Sequence, residues 1–367
     1  MKLYIAGGCG EYGRNCFLIE GEKYRILLDC GNGRSTGARY PVLSKEQIRK
    51  VQYCFLTHSH KDHAGALEWL KEQGFCGKIY MTEETKNQLS RQYGRIDSFC
   101  MLPENHQVNP ELKVFYGKNG HGPGSVWYLL EFEKKRLFFS GDYNENSCLY
   151  ACDPVENLFA DLAVVDCAYG NTLFSAESKK EELKKHLCHN IEMKKNTLLP
   201  VPSYGRGAEL LNILAGMDKG ISVYCDKGMQ RQSEDIKHNT KWISDEKIIK
   251  KKLIFRNLED WRREPAMLFL SDPQLEKSDS KALAKKILES GGEIILTGHV
   301  YNHTFAEILL DQNKAEMFLF PIHMNRNQAE EFCKKNNFRK IILNHSSHSI
   351  IPFPNTVNLK PGDYIEV

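Results

Sequence analysis

The segment FLTHSHKDHAGAL, residues 55–67, constrains the fold more than any other stretch of the chain. It places three histidines and an aspartate within six positions, directly after the apolar run VQYCFLT and before apolar residues at helical spacing. Side chains alternate along a strand, so His58 and His60 leave the same side at its end, while Asp62 and His63 follow in the turn. Imidazole and carboxylate groups suit Zn²⁺, with Mn²⁺ as the alternative, so the segment predicts a metal site at a strand end.

Further residues that can bind a metal occur where other apolar runs end. Asp29 follows ILL, His121 lies in the glycine-rich loop GHGPGS, Asp142 follows RLFFSG, and His323 follows FPI. Alone, each would be an ordinary loop or cap residue, but beside the histidine cluster they predict a complete ligand set. A carboxylate at Asp142 can bridge two metals, and two such metals generate and hold a nucleophilic hydroxide.

Composition limits the class of protein. The chain has 367 residues, enough for two packed lobes, and its net charge of +3 does not by itself argue for a nucleic-acid binder. Twelve cysteines are scattered without a CxxC pair, as is typical of reduced thiols in an intracellular protein. No signal-peptide pattern or apolar run of membrane length occurs, so the chain is predicted to be cytoplasmic, with no membrane partner.

The character of the chain changes near residue 172. Short β-rich runs dominate before it, whereas SAESKKEELKKHLCHN opens a charged helix that leads into alternating strand and helix patterns. The end of the chain returns to short strands. The sequence therefore predicts one lobe formed by residues 1–172 and 300–367, interrupted by a parallel α/β lobe at residues 173–299.

The order Asp29, HSHKDH, His121, Asp142 resembles the metal motifs of the metallo-β-lactamase fold. The resemblance implies an α/β protein with an αββα sandwich and two bound zinc ions, and it implies that Asp29 orients ligands. By the same resemblance, one zinc would be held by His58, His60 and His121, the other by Asp62, His63 and His323, with Asp142 bridging them.

The inserted segment resembles the β-CASP lobe of ribonuclease J and the cleavage-and-polyadenylation endonucleases. DLAVVDCAYGN, with Asp166, resembles motif A; ILTGHVYN, with His299, resembles motif B; and FPIHMNRNQ, with His323, resembles motif C. PVPSYGRGAELL, with Arg206, resembles a further conserved segment of that lobe. The resemblance implies a zinc-dependent hydrolase that cleaves nucleic acid.

The alkoxide that leaves a phosphodiester is a poor leaving group. A general acid should therefore sit opposite the attacking hydroxide, and His299 is the candidate. Asp166 would orient it and raise its pKa, and Arg206 at a helix start would hold a backbone phosphate. Hydroxide held by Asp62 and Asp142 would attack phosphorus, giving 5′-phosphate and 3′-hydroxyl products. A histidine at motif C is, by resemblance, the RNA-associated residue, so RNA is favoured over DNA.

Several alternatives stay open at the level of the sequence. The chain could be a DNA nuclease, a phosphodiesterase for cyclic or short oligonucleotides, or a non-catalytic subunit of a larger complex. The insertion is shorter than usual, which keeps the small-substrate alternative open. Tyr301 and Asn302 depart from the family pattern after His299, which leaves exonuclease against endonuclease action open. A homodimer or a protein complex is also left open.

Two more histidines, His345 and His348, lie in LNHSSHSIIPF near the C-terminus. A histidine at a strand end can approach a metal site. Because His323 already fills the remaining ligand position, this segment is instead predicted to be a surface loop.

Overall fold

The structure is a computed structural model. It describes residues 1–33, 39–94, 99–217, 220, 222–238, 240–248, 255–346 and 349–367. Contacts divide the chain into two compact units. The first unit consists of Met1–Glu145, Cys152–Leu173 and His323–Val367, and the second consists of Asn146–Ala151 and Phe174–Ile322.

The strands and helices of the described residues have the following bounds. The strands are β1 Lys2–Gly7, β2 Cys16–Glu20, β3 Arg25–Leu28, β4 Tyr53–Phe55, β5 Lys78–Met81, β6 Phe99–Met101, β7 Gln107–Asn109, β8 Leu112–Lys118, β9 Val126–Phe132, β10 Lys135–Phe139, β11 Phe159–Ala160, β12 Leu162–Asp166, β13 Thr197–Pro200, β14 Val223–Cys225, β15 Phe255–Asn257, β16 Met267–Leu270, β17 Glu293–Leu296, β18 Glu316–Met317, β19 Asn337–Phe338, β20 Ile341–Asn344 and β21 Tyr364–Glu366. The helices are α1 Lys45–Lys50, α2 Lys61–Ala64, α3 Leu67–Glu72, α4 Glu83–Tyr93, α5 Ala176–Glu192, α6 Arg206–Gly216, α7 Lys227–His238, α8 Ser278–Glu289, α9 Phe305–Asp311 and α10 Arg326–Lys334.

The first unit is built on two mixed sheets. Within the described ranges one has the order β21-β1-β2-β3-β4-β5-β6, and the other has the order β20-β12-β10-β9-β8-β7. Aromatic pairs fill the space between them: the ring centroids of Phe17 and Phe139 are 5.4 Å apart, and those of Phe55 and Tyr128 are 5.8 Å apart. The two sheets thus pack face to face over a shared apolar layer.

Helices cover the outer face of each sheet. Ile48 of α1, Leu70 of α3 and Leu89 of α4 join the buried cluster under the first sheet. Phe332 of α10 packs with Phe138 in the cluster under the second sheet. The layers therefore run helix, sheet, sheet, helix, which confirms the predicted αββα sandwich.

The second unit contains a sheet in which every described pairing is parallel, with the order β15-β14-β16-β13-β17-β18. Leu199, Phe269 and Ile295 of this sheet are buried with Leu210 and Leu214 of α6. Strands buried on both faces read as continuous apolar runs, as TLLP and MLFL do here. The predicted parallel α/β insertion is confirmed as a fold.

The chain returns to the first unit later than predicted. Residues 300–322 were expected in the first lobe, but contacts place them in the second. β18 adds to the parallel sheet beside β17, with Ile295 opposite Glu316. Ala306 and Leu309 of α9 lie in a buried cluster of the second unit. The boundary at residue 300 is therefore corrected to His323, because both elements pack on the inserted sheet.

All twelve cysteines are free thiols. None of the helices in the described part of the chain combines the length and the apolarity needed to cross a bilayer.

Candidate metal centre

Several metal-competent residues of the first unit lie after the carboxyl ends of parallel strands, whereas His121 follows the antiparallel strand β8. Strands β10, β12 and β20 are parallel neighbours, and Asp142, Asp166 and His345 follow or end them. In the other sheet, Asp29 follows β3 and His58 follows its parallel neighbour β4. Because parallel strands end at the same edge of a sheet, these side chains are brought together, as at the ligand sites of other α/β sheets.

The HSHKDH turn is held by backbone contacts with the segment after β3. Cys30 N donates to His63 O at 2.7 Å, and Asn32 N donates to Lys61 O at 2.9 Å. A Cβ on Gly31 would lie 1.7 Å from Asp62 O, so only glycine lets the two segments approach this closely.

One ligand group surrounds an oxygen of Asp142. It comprises His58, His60, His121 and Asp142, with one potential ligand atom each, all within 4.8 Å of one another. Asp142 Oδ2 lies 3.4 Å from both His58 Nε2 and His121 Nε2. These are the residues predicted for the first zinc, together with the predicted bridge.

A second group surrounds the other oxygen of Asp142. It comprises Asp62, His63 and His345. Asp142 Oδ1 lies 3.1 Å from His63 Nε2 and 3.3 Å from His345 Nδ1, while His345 Nε2 lies 3.0 Å from Asp62 Oδ2. Asp142 therefore faces the first group with one oxygen and the second group with the other, which is the arrangement that a bridging carboxylate requires.

Buried atoms of both groups lack hydrogen bonds. His58 Nε2, Asp142 Oδ1 and His345 Nδ1 are buried and make none, although they lie within 3.1–3.4 Å of oppositely charged or polar groups. A buried polar atom left unsatisfied costs about 1–3 kcal/mol. Atoms that converge without being aligned for hydrogen bonding, in a set of imidazoles and carboxylates, fit bound divalent cations such as Zn²⁺ or Mn²⁺.

Asp29 lies directly behind His63. Its Oδ2 lies 2.7 Å from His63 Nδ1, and its two oxygens accept from Thr57 N at 2.7 Å and Thr57 Oγ1 at 2.8 Å. Fixing Nδ1 in this way leaves Nε2 as the nitrogen that faces Asp142, which is the ligand-orienting contact expected of Asp29.

Without a cation, the pKa values of the histidines in the centre are shifted in opposite directions. Burial alone would lower the pKa of His63, but the charges of Asp142 and Asp29 raise that pKa to about 10. Burial lowers the pKa of His58 to about 3, with a further contribution from the positive charge of His63. Burial opposes ionisation of Asp142, yet the charges of His63 and His345 hold its pKa well below its usual value. Against the effect of burial, the charges of the carboxylates also raise the pKa of His345. The protons on His63 and His345 thus supply the positive charge that metal cations would supply.

His345 corrects the sequence analysis. It was predicted to lie in a surface loop, but it is only 6% exposed and stands beside Asp62 and Asp142. His345, and not His323, lies beside Asp62 and His63, while His323 belongs to a third candidate ligand group with Asp142, Asp166 and His345. The missed signal was available in RKIILNH, since a histidine directly after an apolar strand is the pattern that identified Asp142. His348 lies outside the described residues.

His323 instead pairs with Asp166. Its Nδ1 lies 3.1 Å from Asp166 Oδ2 and 3.8 Å from Asp142 Oδ2. Asp166 is fully buried, and its oxygens also accept from Tyr143 N and Ala168 N, both at 3.1 Å. Asp166 was predicted to orient a histidine, His299; in the structure it holds His323.

His299 and Arg206 belong to the second unit. The carbonyl of His299 accepts from Gln274 Nε2 at 2.9 Å. Arg206 is the first residue of α6, as predicted, but its side chain is buried. Its guanidinium packs against Gly298, where a Cβ would lie 1.8 Å from Arg206 Nη1. The roles expected of both residues stay predictions.

Comparison with known proteins finds a matching family model and several similar proteins. Residues 9–177 match the family model described as the metallo-beta-lactamase superfamily. Similar proteins include the RNase J-like protein of Methanocaldococcus jannaschii, 26% identical over 61% of this chain and 58% of that protein. Endoribonuclease YSH1 of Candida albicans is 24% identical over 94% of this chain and 48% of its own length. RNase aCSPSF2 of Saccharolobus solfataricus is 25% identical over 94% of this chain and 79% of its own.

The chain thus spans 58% and 48% of the lengths of the first two of these relatives. Among solved structures, a protein of unknown function from Enterococcus faecalis V583 superposes with a TM-score of 0.65 at 11% identity, covering 99% of both chains. At that identity the likeness concerns the fold alone.

Proposed function

We propose that this chain, which belongs to the metallo-β-lactamase superfamily and resembles its β-CASP nucleases, is a metal-dependent ribonuclease. The observation that carries the proposal is the pair of ligand groups that share Asp142 and contain buried atoms without hydrogen bonds. Relatives with the names RNase J-like protein and endoribonuclease support the choice of RNA.

Two zinc ions, with manganese as the alternative, are the metals that suit this ligand set. The first would be held by His58, His60 and His121, the second by Asp62, His63 and His345, with Asp142 shared between them. When bound, such ions supply an activated water and neutralise the charge that develops on the phosphoryl oxygens.

The protein's own residues supply the remaining chemistry. Asp62 and Asp142 are ionised at neutral pH, because neighbouring histidines hold the pKa of each well below its usual value against the effect of burial. They hold and orient the attacking water. Attack on phosphorus breaks the bond to the 3′ oxygen and leaves a 5′-phosphate and a 3′-hydroxyl.

His323 is the proton donor that the geometry favours for the leaving oxygen. Asp166 fixes its Nδ1, so its other ring nitrogen is the one that can transfer a proton, as in other acid–base histidines oriented by a carboxylate. His299 is the candidate from the sequence. Arg206 is the proposed contact for a backbone phosphate, which would hold RNA without reading its bases.

The test uses single-stranded RNA and DNA of one sequence, labelled at either end and incubated with the zinc- or manganese-loaded protein. RNA products carrying 5′-phosphates are expected. Absence of RNA cleavage with every divalent metal tried would overturn the proposal. Cleavage confined to DNA would overturn the choice of RNA as the substrate.

The variants His323→Ala and His299→Ala separate the two candidate proton donors. Loss of a general acid should slow cleavage by about 10²–10⁴-fold at unchanged metal content. We expect this from His323→Ala. The reverse pattern, a large loss from His299→Ala alone, would return the role to His299. Loss of metal from His323→Ala would make His323 a ligand.

A further inference from the structure

The glycine-rich segment of residues 8–15, here called the N-terminal loop, contacts each ligand of the second group. Gly8 O accepts from His345 N at 2.6 Å, and Asn15 N donates to Asp62 O at 2.9 Å. The side chain of Asn15 lies beside the third ligand, with Nδ2 at 3.0 Å from His63 Nε2, the nitrogen that would bind the metal.

Asn15 is in turn held by Asn344. The Nδ2 atom of Asn344 donates to Asn15 Oδ1 at 3.1 Å. Asn344 immediately precedes His345 at the end of β20, so this contact joins the strand that carries His345 to the residue beside His63. Both asparagines are buried, at 0% and 1% exposure, where amide groups are retained only with specific partners.

The polar pairing of Asn344 is incomplete. Its Oδ1 is buried and makes no hydrogen bond. An isolated structural amide pair would be expected to satisfy both of its ends. The unmatched oxygen of Asn344 carries a free-energy cost. The pair is therefore better suited to positioning the neighbouring metal ligands than to stabilising the core.

The N-terminal loop is itself braced. Glu11 Oε1 accepts from Gly8 N at 3.1 Å, and Glu11 Oε2 lies 2.7 Å from Arg14 Nη2. A Cβ on Gly8 would lie 2.5 Å from Asn15 Oδ1, so glycine is required for the loop to fold over the asparagine. The loop therefore presents Asn15 in one arrangement.

The first group has a different support. Asn119 Oδ1 accepts from His121 N at 3.2 Å, within the loop that follows β8. Asn119 is fully buried, as Asn15 is. The two ligand groups are thus held by buried asparagines on separate segments of the chain.

We propose that the N-terminal loop, which holds the backbones of Asp62 and His345 and the side chain of Asn344, is the positioning element of the second metal site, so that binding of the second ion depends on it while binding of the first does not. The inference rests on the two-metal centre of the proposed function and adds which part of the chain controls its second half. Asn15 and Asn344 act as positioning residues, through the ligands that they hold.

The experiment measures zinc binding by the full chain, by competition with a chelator and by elemental analysis. In the wild-type protein two binding steps are expected. In Asn15→Ala and in Asn344→Ala, the same one of the two steps should lose about 10–100-fold in affinity, the usual cost of removing a residue that supports a ligand, with the other step unchanged. Asn15→Asp, which keeps an acceptor for Asn344 Nδ2, should restore that step.

Two further variants make the result specific. Asn119→Ala should weaken the other step. Asn190→Ala removes an equally buried asparagine of the second unit and should change neither, which controls for the general effect of losing a buried amide. Two unchanged steps, or equal weakening of both, in Asn15→Ala and Asn344→Ala would overturn the inference while the proposed function stands. Fewer than two zinc ions in the wild-type protein would overturn the two-metal centre itself, and this inference with it.

Discussion

Among the residues that the structure describes, histidines and carboxylates form two clusters, and only one of the two has the properties of a metal centre. In the first unit the groups around Asp142 bring ligand atoms within 4.8 Å of one another. In the second unit His186, Glu293 and Glu316 meet the same distance criterion. Residue type and proximity therefore do not separate the two clusters.

Hydrogen bonding and charge do separate them. In the second unit, Glu293 accepts from Asn190 Nδ2, has His186 Nε2 at 3.1 Å from both oxygens, and has Lys195 Nζ at 3.4 Å. Burial and the hydrogen bond with Glu293 raise the pKa of Glu316, so Glu316 keeps a proton that it donates to Glu293, which relieves the repulsion between the two carboxyl groups.

In the first unit the carboxylates are also paired with histidines, but this pairing leaves buried ligand atoms without hydrogen bonds. His58 Nε2 and His345 Nδ1 are buried without hydrogen bonds. A cluster whose charge is already neutralised by lysine and amide groups gains little from a cation, whereas one with unmatched buried atoms gains much. Unsatisfied ligand atoms, rather than the ligand types, distinguish the metal centre from a structural network.

The largest expected difference in metal content and RNA cleavage comes from an isosteric substitution that removes one charge from each cluster. Asp142→Asn should lose both metals, because both ligand groups share Asp142. RNA cleavage should slow by more than about 10³-fold, a larger rate loss than removal of one electrostatic donor usually causes. Glu293→Gln is the matched change and should keep the wild-type metal content. Elemental analysis and RNA cleavage measure both effects, and metal loss from Glu293→Gln would show that the second cluster also binds a metal.

A smaller effect is expected from pH in the metal-free protein. The raised pKa of His63, about 10 against about 6.5 in an unfolded chain, gives stability that is complete below about pH 6.5 and is lost as pH rises through 10. The lowered pKa of His58, about 3, gives stability that is complete above about pH 6.5 and is lost as pH falls toward 3. Stability should therefore be greatest near pH 6.5.

The alkaline loss is at most about 1.4 kcal/mol per pH unit for this one group. Denaturant unfolding of the chelator-treated protein across pH measures it. Zinc should abolish the alkaline loss, because His63 bound to a metal needs no proton. Metal-free protein that became more stable between neutral and alkaline pH would contradict the charge arrangement described for the centre.

The smallest effect is expected from His186→Ala in the second unit. Removing the contact with Glu293 should cost about 1 kcal/mol in the free energy of unfolding, the usual net value of a hydrogen bond, since Asn190 and Lys195 still contact the carboxylate. Metal content and RNA cleavage should be unchanged. A zinc ion lost per chain in this variant would make the second cluster a metal site as well.

Local pattern predicted the parts of the centre that lie close together in the sequence. HSHKDH after an apolar strand places His58, His60, Asp62 and His63 within one turn, so their grouping hardly depends on the rest of the fold. Asp29 and Asp142 were found by the same rule, that polar residues at the ends of buried strands meet at one edge of a sheet.

Contacts between distant segments were not predictable in this way. His323 and His345 both follow apolar runs, and which of them meets Asp62 depends on β20 pairing beside β12, with Asp166 opposite Asn344. That register brings His345 to Asp62 and leaves His323 with Asp166. The domain boundary predicted at residue 300 lies too early in the chain for a similar reason, since the pairing of β18 with β17 is a long-range contact.

The sequence alone indicated the class of fold, through its resemblance to the metallo-β-lactamase motifs, and the metal-competent residues at strand ends, Asp142 among them, because strand-end chemistry is a local pattern. Only the tertiary structure decided which histidine completes the second group, which histidine Asp166 holds, and that Asn15 and Asn344 join the second group of ligands. These choices depend on the lateral order and register of strands far apart in the chain, and no local spacing encodes either.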